Sequence, residues 1–224
     1  MAIPLPRDFY RRSALIVARE LLGARLVRLD DGMRLSGFIT ETEAYVGEED
    51  LGCHAKAGRT ARTAIMYGPP GHAYVYFTYG MHWLLNAVTD EVGSPAAVLI
   101  RAIVPDEGID LMSQRRGRPG YDGPAKLTQA LAIGRAENGA DLTRKASGLW
   151  IEPGITIARR RVLTGPRIGL NTVPEPWKSK PWRFLVRLDG RQIVPASELA
   201  LPPAVRGARA LPPRRSCAPS RRAS

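Results

Sequence analysis

Apolar residues recur at helical spacing over residues 12–22, where Leu15, Ile16, Ala18, Leu21 and Leu22 share a face and Gly23 is the stop. The chain is therefore predicted to begin with a leader at 4–9 and a short amphipathic helix. Residues 24–29 then alternate Arg25 and Arg28 with Leu26, Val27 and Leu29, and Asp30-Asp31-Gly32 signals a tight turn into a second strand from Met33. That strand runs into Ile39-Thr40-Glu41-Thr42-Glu43-Ala44-Tyr45, where strict alternation puts Glu41, Glu43 and Tyr45 on one face. Residues 47–70 are rich in Gly, Arg, Thr and Pro and weak in periodicity, the pattern of a long ordered loop that is either functional or disordered. Two β-prone runs over 71–86, hinged at Gly80, predict a hairpin with Tyr79 at or beside its tip. Residues 96–104 form a buried-strand pattern interrupted by one arginine, Arg101, which needs a partner or an anionic ligand.

Further on, residues 108–115 read as helical and 114–120 as a basic loop. Residues 123–134 are predicted to form a helix with proline at its first position and glycine after its end. The backbone N–H groups of its first turn, helped by Lys126, suit a phosphate. Short strands are expected at 149–151, 155–158 and 184–188, separated by Pro/Gly turns. From Pro202 the chain carries Pro, Ala, Arg and Ser with no acid, so residues 202–224 are expected to be a basic, disordered and non-catalytic tail.

Charge and cysteine content narrow the chemistry. The 224 residues suffice for one sizeable core, and the formal net charge of +12 calls for an anionic partner, with nucleic acid ahead of an acidic membrane. The early apolar run at 14–18 is cut by Arg19 and is far too short for a signal or spanning helix, so a cytoplasmic, nucleoid-associated protein without membrane attachment is expected. Cys53 and Cys217 lie far apart without metal-ligand spacing, and there are three histidines, so no metal is expected.

Two carboxylates beside an aromatic suit general acid/base work or activation of water, with solvated strand residues an equally weighted alternative. Paired carboxylates also fit glycoside hydrolysis, and the basic surface favours a nucleic-acid sugar over a polysaccharide. Tyr45, His54, Tyr74 and Tyr76 are either core aromatics or the walls of a pocket that stacks a flat ring. Tyr79 at a hairpin tip has little core to enter and suits a wedge between stacked bases. Asn86 is either a reader of a base edge or a structural amide, and Arg101 either a buried partner of Glu41 or a ligand contact.

A resemblance becomes specific at these residues. Glu-Thr-Glu-Ala-Tyr at 41–45, Gly-Arg-Thr at 58–60 followed by Arg62, Tyr-Val-Tyr at 74–76, Tyr-Gly-Met-His at 79–82, Asn86, Leu-Ile-Arg-Ala at 99–102 and Gly-Pro-Ala-Lys-Leu-Thr-Gln-Ala-Leu at 123–131 resemble the alkyladenine (3-methyladenine) DNA glycosylase family in its bacterial form. The match is collinear over residues 12–187, dense over 37–105, and does not reach the tail.

The resemblance implies a monofunctional base-excision enzyme, acting without cofactor or lyase activity on duplex DNA that contains 3-methyladenine, 7-methylguanine, hypoxanthine or ethenoadenine. By position it implies that Glu43 activates water, that Arg101 lies near the water and phosphate, and that Tyr45, His54 and Tyr76 sandwich the flipped base. It further implies that Asn86 disfavours the exocyclic amine of guanine and that Tyr79 fills the gap left in the duplex. Arg59, Arg62 and Lys126 are expected at the DNA backbone. Cys53, Thr63 in place of an expected asparagine, and the short Tyr121-Asp122 segment depart from the pattern, which bears on substrate range rather than on the reaction.

The expectation is thus an α+β protein, a single glycosylase domain over 1–201 with a curved, mainly antiparallel β-sheet and peripheral helices, acting as a monomer. Its rivals are a non-catalytic basic nucleic-acid-binding protein and a nucleosidase for free nucleosides. The latter leaves the charge and Tyr79 unexplained.

Overall fold

The computed structural model describes residues 2–118 and 120–187. The tail at 202–224 and the boundary proposed before it lie outside the described residues.

The first helices are short. Arg7–Tyr10 forms one turn (α1), so residues 4–9 are not merely a leader: Tyr10 is fully buried and closes the end of the core. Ala14–Glu20 (α2) starts at Ser13, whose hydroxyl accepts from the Leu15 N–H, and buries Ala14, Val17 and Ala18. Gly23 follows with φ +85, and a Cβ there would stand 2.2 Å from the Ile155 carbonyl oxygen, so the position requires glycine.

Strand β1 (Arg25–Asp30) turns at Asp31 and Gly32, both at positive φ, into β2 (Met33–Val46). This is the primed type of turn that matches strand twist. β2 organises the sheet. Its first half pairs β1, its second half pairs β8 (Arg183–Val186), and β5 (Ala96–Glu107) runs along its length. The full order is β3 (Ala73–Thr78), β4 (His82–Thr89), β5, β2, β1 and β6 (Leu149–Glu152), with β7 (Val162–Gly165) added beyond β8, and every pairing is antiparallel. The β2/β5 register shifts around Glu41, a bulge that re-aims the side chains that follow it.

β3 and β4 make the expected hairpin, and β6 closes the far edge. Helices α3 (Ile109–Arg116) and α4 (Pro124–Ala130) complete the mixed α+β architecture. The core joins Leu21, Leu26, Leu35, Ile39, Leu85, Ile100, Leu127 and Leu131. Among the described residues no helix is long and apolar enough to cross a membrane.

Two expectations are corrected. Residues 155–158 are not a strand: Ile155 donates to the Gly23 carbonyl at 2.8 Å, and that approach to a single glycine replaces a ladder. The strand forms at Val162–Gly165 instead, directly after the Arg159–Arg161 turn. The helix expected over 123–134 ends at Ala130, because Ala132 takes a left-handed φ of 50 and Ile133 donates back to the Thr128 carbonyl. That is a Schellman closure with alanine where glycine is usual.

Candidate active site

The bulged half of β2 presents Glu43 and Tyr45, and β5 presents Arg101 beside them. Glu43 is 0% exposed, which excludes a solvated strand residue. One of its oxygens, Oε2, accepts the Tyr45 hydroxyl at 2.8 Å. The other, Oε1, accepts the Ile168 N–H at 2.7 Å and lies 3.3 Å from Arg101 Nη1. Arg101 Nε donates to Glu41 at 3.0 Å, and Arg183 reaches the same Glu41 oxygen at 3.1 Å. Arg101 therefore has the partner its buried strand position demands.

Burial raises the pKa of Glu43 above the ordinary carboxylate range, while Arg101, the Ile168 N–H and the Tyr45 hydroxyl pull it back down. The Tyr45 phenol is pushed far up, by burial first and then by the charge of Glu43 and their hydrogen bond, so it remains a donor.

Next to this carboxylate lies a cavity of about 340 Å³, lined among others by Tyr45, His54, Tyr74, Tyr76, Asn86 and Arg101. The size suits a small ligand. Its aromatic wall is interlocked: His54 meets Tyr76 edge-on at 4.5 Å, and Tyr74 and Tyr76 lie 5.2 Å apart at a 33° tilt. His54 Nδ1 is 2.9 Å from the Tyr74 hydroxyl. Burial, then the charges of Arg62 and Lys56, lower the pKa of His54 to about 4, so the imidazole is neutral at pH 7. Cys53, wholly buried beside it, has its thiol pushed up to about 11, mainly by burial. Asn86 donates from Nδ2 to the Tyr74 carbonyl at 3.0 Å, the structural use of its amide, and also lines the cavity.

The hairpin tip carries Tyr79 at φ 51 and 80% exposed. Met81 and Phe77, neither singled out from sequence, are exposed beside it. Phe77 packs on Trp83 across the hairpin at 4.8 Å. Arg62 lies over the Tyr76 ring of the aromatic wall at 5.0 Å, and Arg59 lies over Tyr67, outside the cavity lining, at 6.0 Å. Lys126, on the first turn of α4, bonds Asp122 at 2.8 Å, while its neighbours Pro124 and Ala125 line the cavity.

Sequence reasoning missed Asp50, Arg167 and Ile168. Asp50 and Arg167 sit in segments without periodicity, and a backbone donor such as the Ile168 N–H has no sequence signal.

The descriptive model of the family "Methylpurine-DNA glycosylase (MPG)" matches residues 8–189. Three relatives bear the name "Putative 3-methyladenine DNA glycosylase". That of Carboxydothermus hydrogenoformans is 49% identical over 82% of this chain and 95% of its own length. That of Myxococcus xanthus is 48% identical over 82% of this chain and 90% of its own length. That of Methanocella arvoryzae is 50% identical over 80% of this chain and 90% of its own length. A family match across most of the chain, joined to identities of this size over nearly whole relatives, means that this protein belongs to the methylpurine-DNA glycosylase family.

Proposed function

We propose that this protein is a monofunctional DNA glycosylase that takes a damaged purine out of duplex DNA into the aromatic cavity and hydrolyses its N-glycosidic bond. The observation that carries the reading is the fully buried Glu43 carboxylate, held at both oxygens against the wall of a cavity with aromatic sides. Buried charge of this kind is expensive unless it is used.

In this mechanism Tyr79 enters the gap left in the duplex, and Tyr45, His54 and Tyr76 enclose the extruded base. Asn86 clashes with the exocyclic amine of guanine, and Arg59, Arg62 and Lys126 meet backbone phosphates. Glu43 takes a proton from water as its oxygen attacks the sugar C1′. The bond from C1′ to the base breaks, and its electron pair leaves with the purine. A carboxylate at C1′ also stabilises the positive charge that develops on the sugar, with Arg101 holding water and phosphate. A cationic alkylated purine leaves as a neutral base, whereas hypoxanthine needs a proton from an acid. Among the described residues no lysine lines the cavity, which supports hydrolysis without a Schiff base and hence without strand cleavage. The domain would span 1–201 and act as a monomer near the nucleoid.

The test is single-turnover release of ethenoadenine, hypoxanthine and 3-methyladenine from duplex DNA, scored for abasic sites with and without alkali. Glu43→Gln is expected to slow release by about 10²- to 10⁴-fold, the range for a positioned base, with duplex binding retained. Release by the wild type with breaks only after alkali supports the reading. Tight binding with no release of any of the three bases overturns it.

A further inference from the structure

The groups that hold Glu43 are tied in turn to a buried ion pair. Arg167 and Asp50 form an ion pair at 2.5 and 2.8 Å with both side chains 0% exposed. Asp50 also accepts from the N–H groups of Val46 and Gly52, at 3.1 and 2.9 Å, which ties the end of β2 to the loop leading to Cys53 and His54. Arg167 donates to the carbonyl of Ala44, the residue between Glu43 and Tyr45, at 3.0 Å. Its guanidinium lies over the Tyr45 ring at 4.7 Å and over Trp182 at 5.0 Å. Trp182 is in turn covered by Lys180, whose ammonium is 4.3 Å from its ring and 3.6 Å from that of Trp177. A stack of alternating cations and rings thus runs from Lys180 to Tyr45. The residue after Arg167 is Ile168, whose N–H is the donor to Glu43.

The pair is poorly explained by stability alone. Removing two charges from water costs several kcal/mol per ion, and apolar replacements of similar volume are often neutral or better. Arg167 Nε is buried with no hydrogen-bond partner among the described residues, a further cost. What the pair does achieve is geometric. It fixes the two groups, Ile168 N–H and Tyr45 hydroxyl, that bind the two oxygens of one carboxylate.

We propose that the buried Asp50–Arg167 pair is a positioning device for Glu43, holding the Ile168 N–H and the Tyr45 hydroxyl so that the carboxylate is aimed at the reacting water. The proposal rests on the glycosylase reading. The charged and titratable groups facing Glu43 are Glu41 and Tyr45 on β2, Arg101 on β5 and Tyr76 on β3, with Arg183 on β8 held off by its bond to Glu41. Arg167 also acts on Tyr45 through its charge, so Arg167→Lys, which keeps the charge and loses the planar fork, separates lost geometry from lost charge.

The test compares full-length wild type with Arg167→Lys, Asp50→Asn and the double variant Asp50→Asn/Arg167→Met, which removes both charges and leaves one amide oxygen to accept from either Val46 or Gly52. Single-turnover release from a lesion-containing duplex is measured across pH, together with duplex affinity and thermal melting. The expected result is a plateau rate lowered by up to about 100-fold, the scale for small misplacement of a reacting group. Duplex affinity should be unchanged, and the acidic limb should move to higher pH. The double variant should melt near the wild type and still be slow. Rates that fall only with the folded fraction, an unmoved acidic limb, or a double variant that does not fold would make the pair a stability element and overturn the proposal. Absence of release by the wild type is seen before any variant is made, and removes the glycosylase reading with it.

Discussion

Tyr45 donates its hydroxyl to Glu43 across 2.8 Å from two residues further along the same strand. Period-2 alternation puts both on one face, and burial of both strengthens the bond. The tyrosine therefore has two jobs in the proposed reaction, since its ring lines the cavity and its hydroxyl stabilises the ionised form of the base.

Tyr45→Phe separates those jobs. It keeps the ring and removes the donor, and a hydrogen bond to a charged group contributes about 1.5–3 kcal/mol. Excision should slow by about tenfold or more. The sign of the pH effect follows from which form is active. Glu43 works ionised, its pKa is already raised by burial, and the lost donor raises it further, so activity should decline at a higher pH on acidification. A single-turnover pH profile checks this, and an unmoved acidic limb would be incompatible with Glu43 acting as the base held by Tyr45.

His54 should be silent around neutrality. With a pKa lowered to about 4 by burial, Arg62 and Lys56, it carries no charge between pH 5 and 8. The unfolded chain binds that proton near the ordinary pKa of about 6.5, so acidification from there to about pH 4 removes stability. Imidazole NMR shifts followed against pH should place its midpoint near the lower value. Arg62→Gln removes the second cause of the shift and should move the midpoint up. A midpoint near 6.5 in the wild type would refute a desolvated imidazole.

Tyr79 can be removed without harm to the fold. It is 80% exposed and held at φ 51, a conformation that costs a non-glycine residue about 1–2 kcal/mol. Tyr79→Gly should therefore melt above Tyr79→Ala, which should melt close to the wild type. Both should lose excision from duplex DNA while losing less from a single strand, where no gap needs filling. Equal losses on the two substrates would count against the wedge.

How much of this was legible in the sequence depends on range. Glu43 and Tyr45 share a strand, and the turn at Asp31-Gly32 is a local signal that sets their register. Tyr79 was legible because Gly80 marks the hairpin tip. Asp50 and Arg167 are 117 residues apart and meet only after β2, β8 and the chain before β8 have assembled, so no periodicity connects them. Residues 155–158 alternate like a strand, yet the nearest backbone is Gly23, whose missing Cβ lets the chain approach as a crossing. The strand that does form, Val162–Gly165, follows three arginines whose charge masks its pattern.

Arg59 and Arg62 allow a test of DNA engagement that is independent of chemistry. Each lies over a tyrosine ring, Arg62 over Tyr76 and Arg59 over Tyr67, so each guanidinium is placed by stacking before any phosphate arrives. Every phosphate contact releases counterions and contributes a slope of about 0.9 to the decline of log affinity with log salt. The double variant Arg59→Gln/Arg62→Gln should therefore bind undamaged and lesion-containing duplexes more weakly by the same factor, with a slope flatter by about two contacts' worth. Fluorescence anisotropy over a salt series measures it. A loss confined to lesion-containing duplex, with the slope unchanged, would instead place these arginines at the base and not at the backbone.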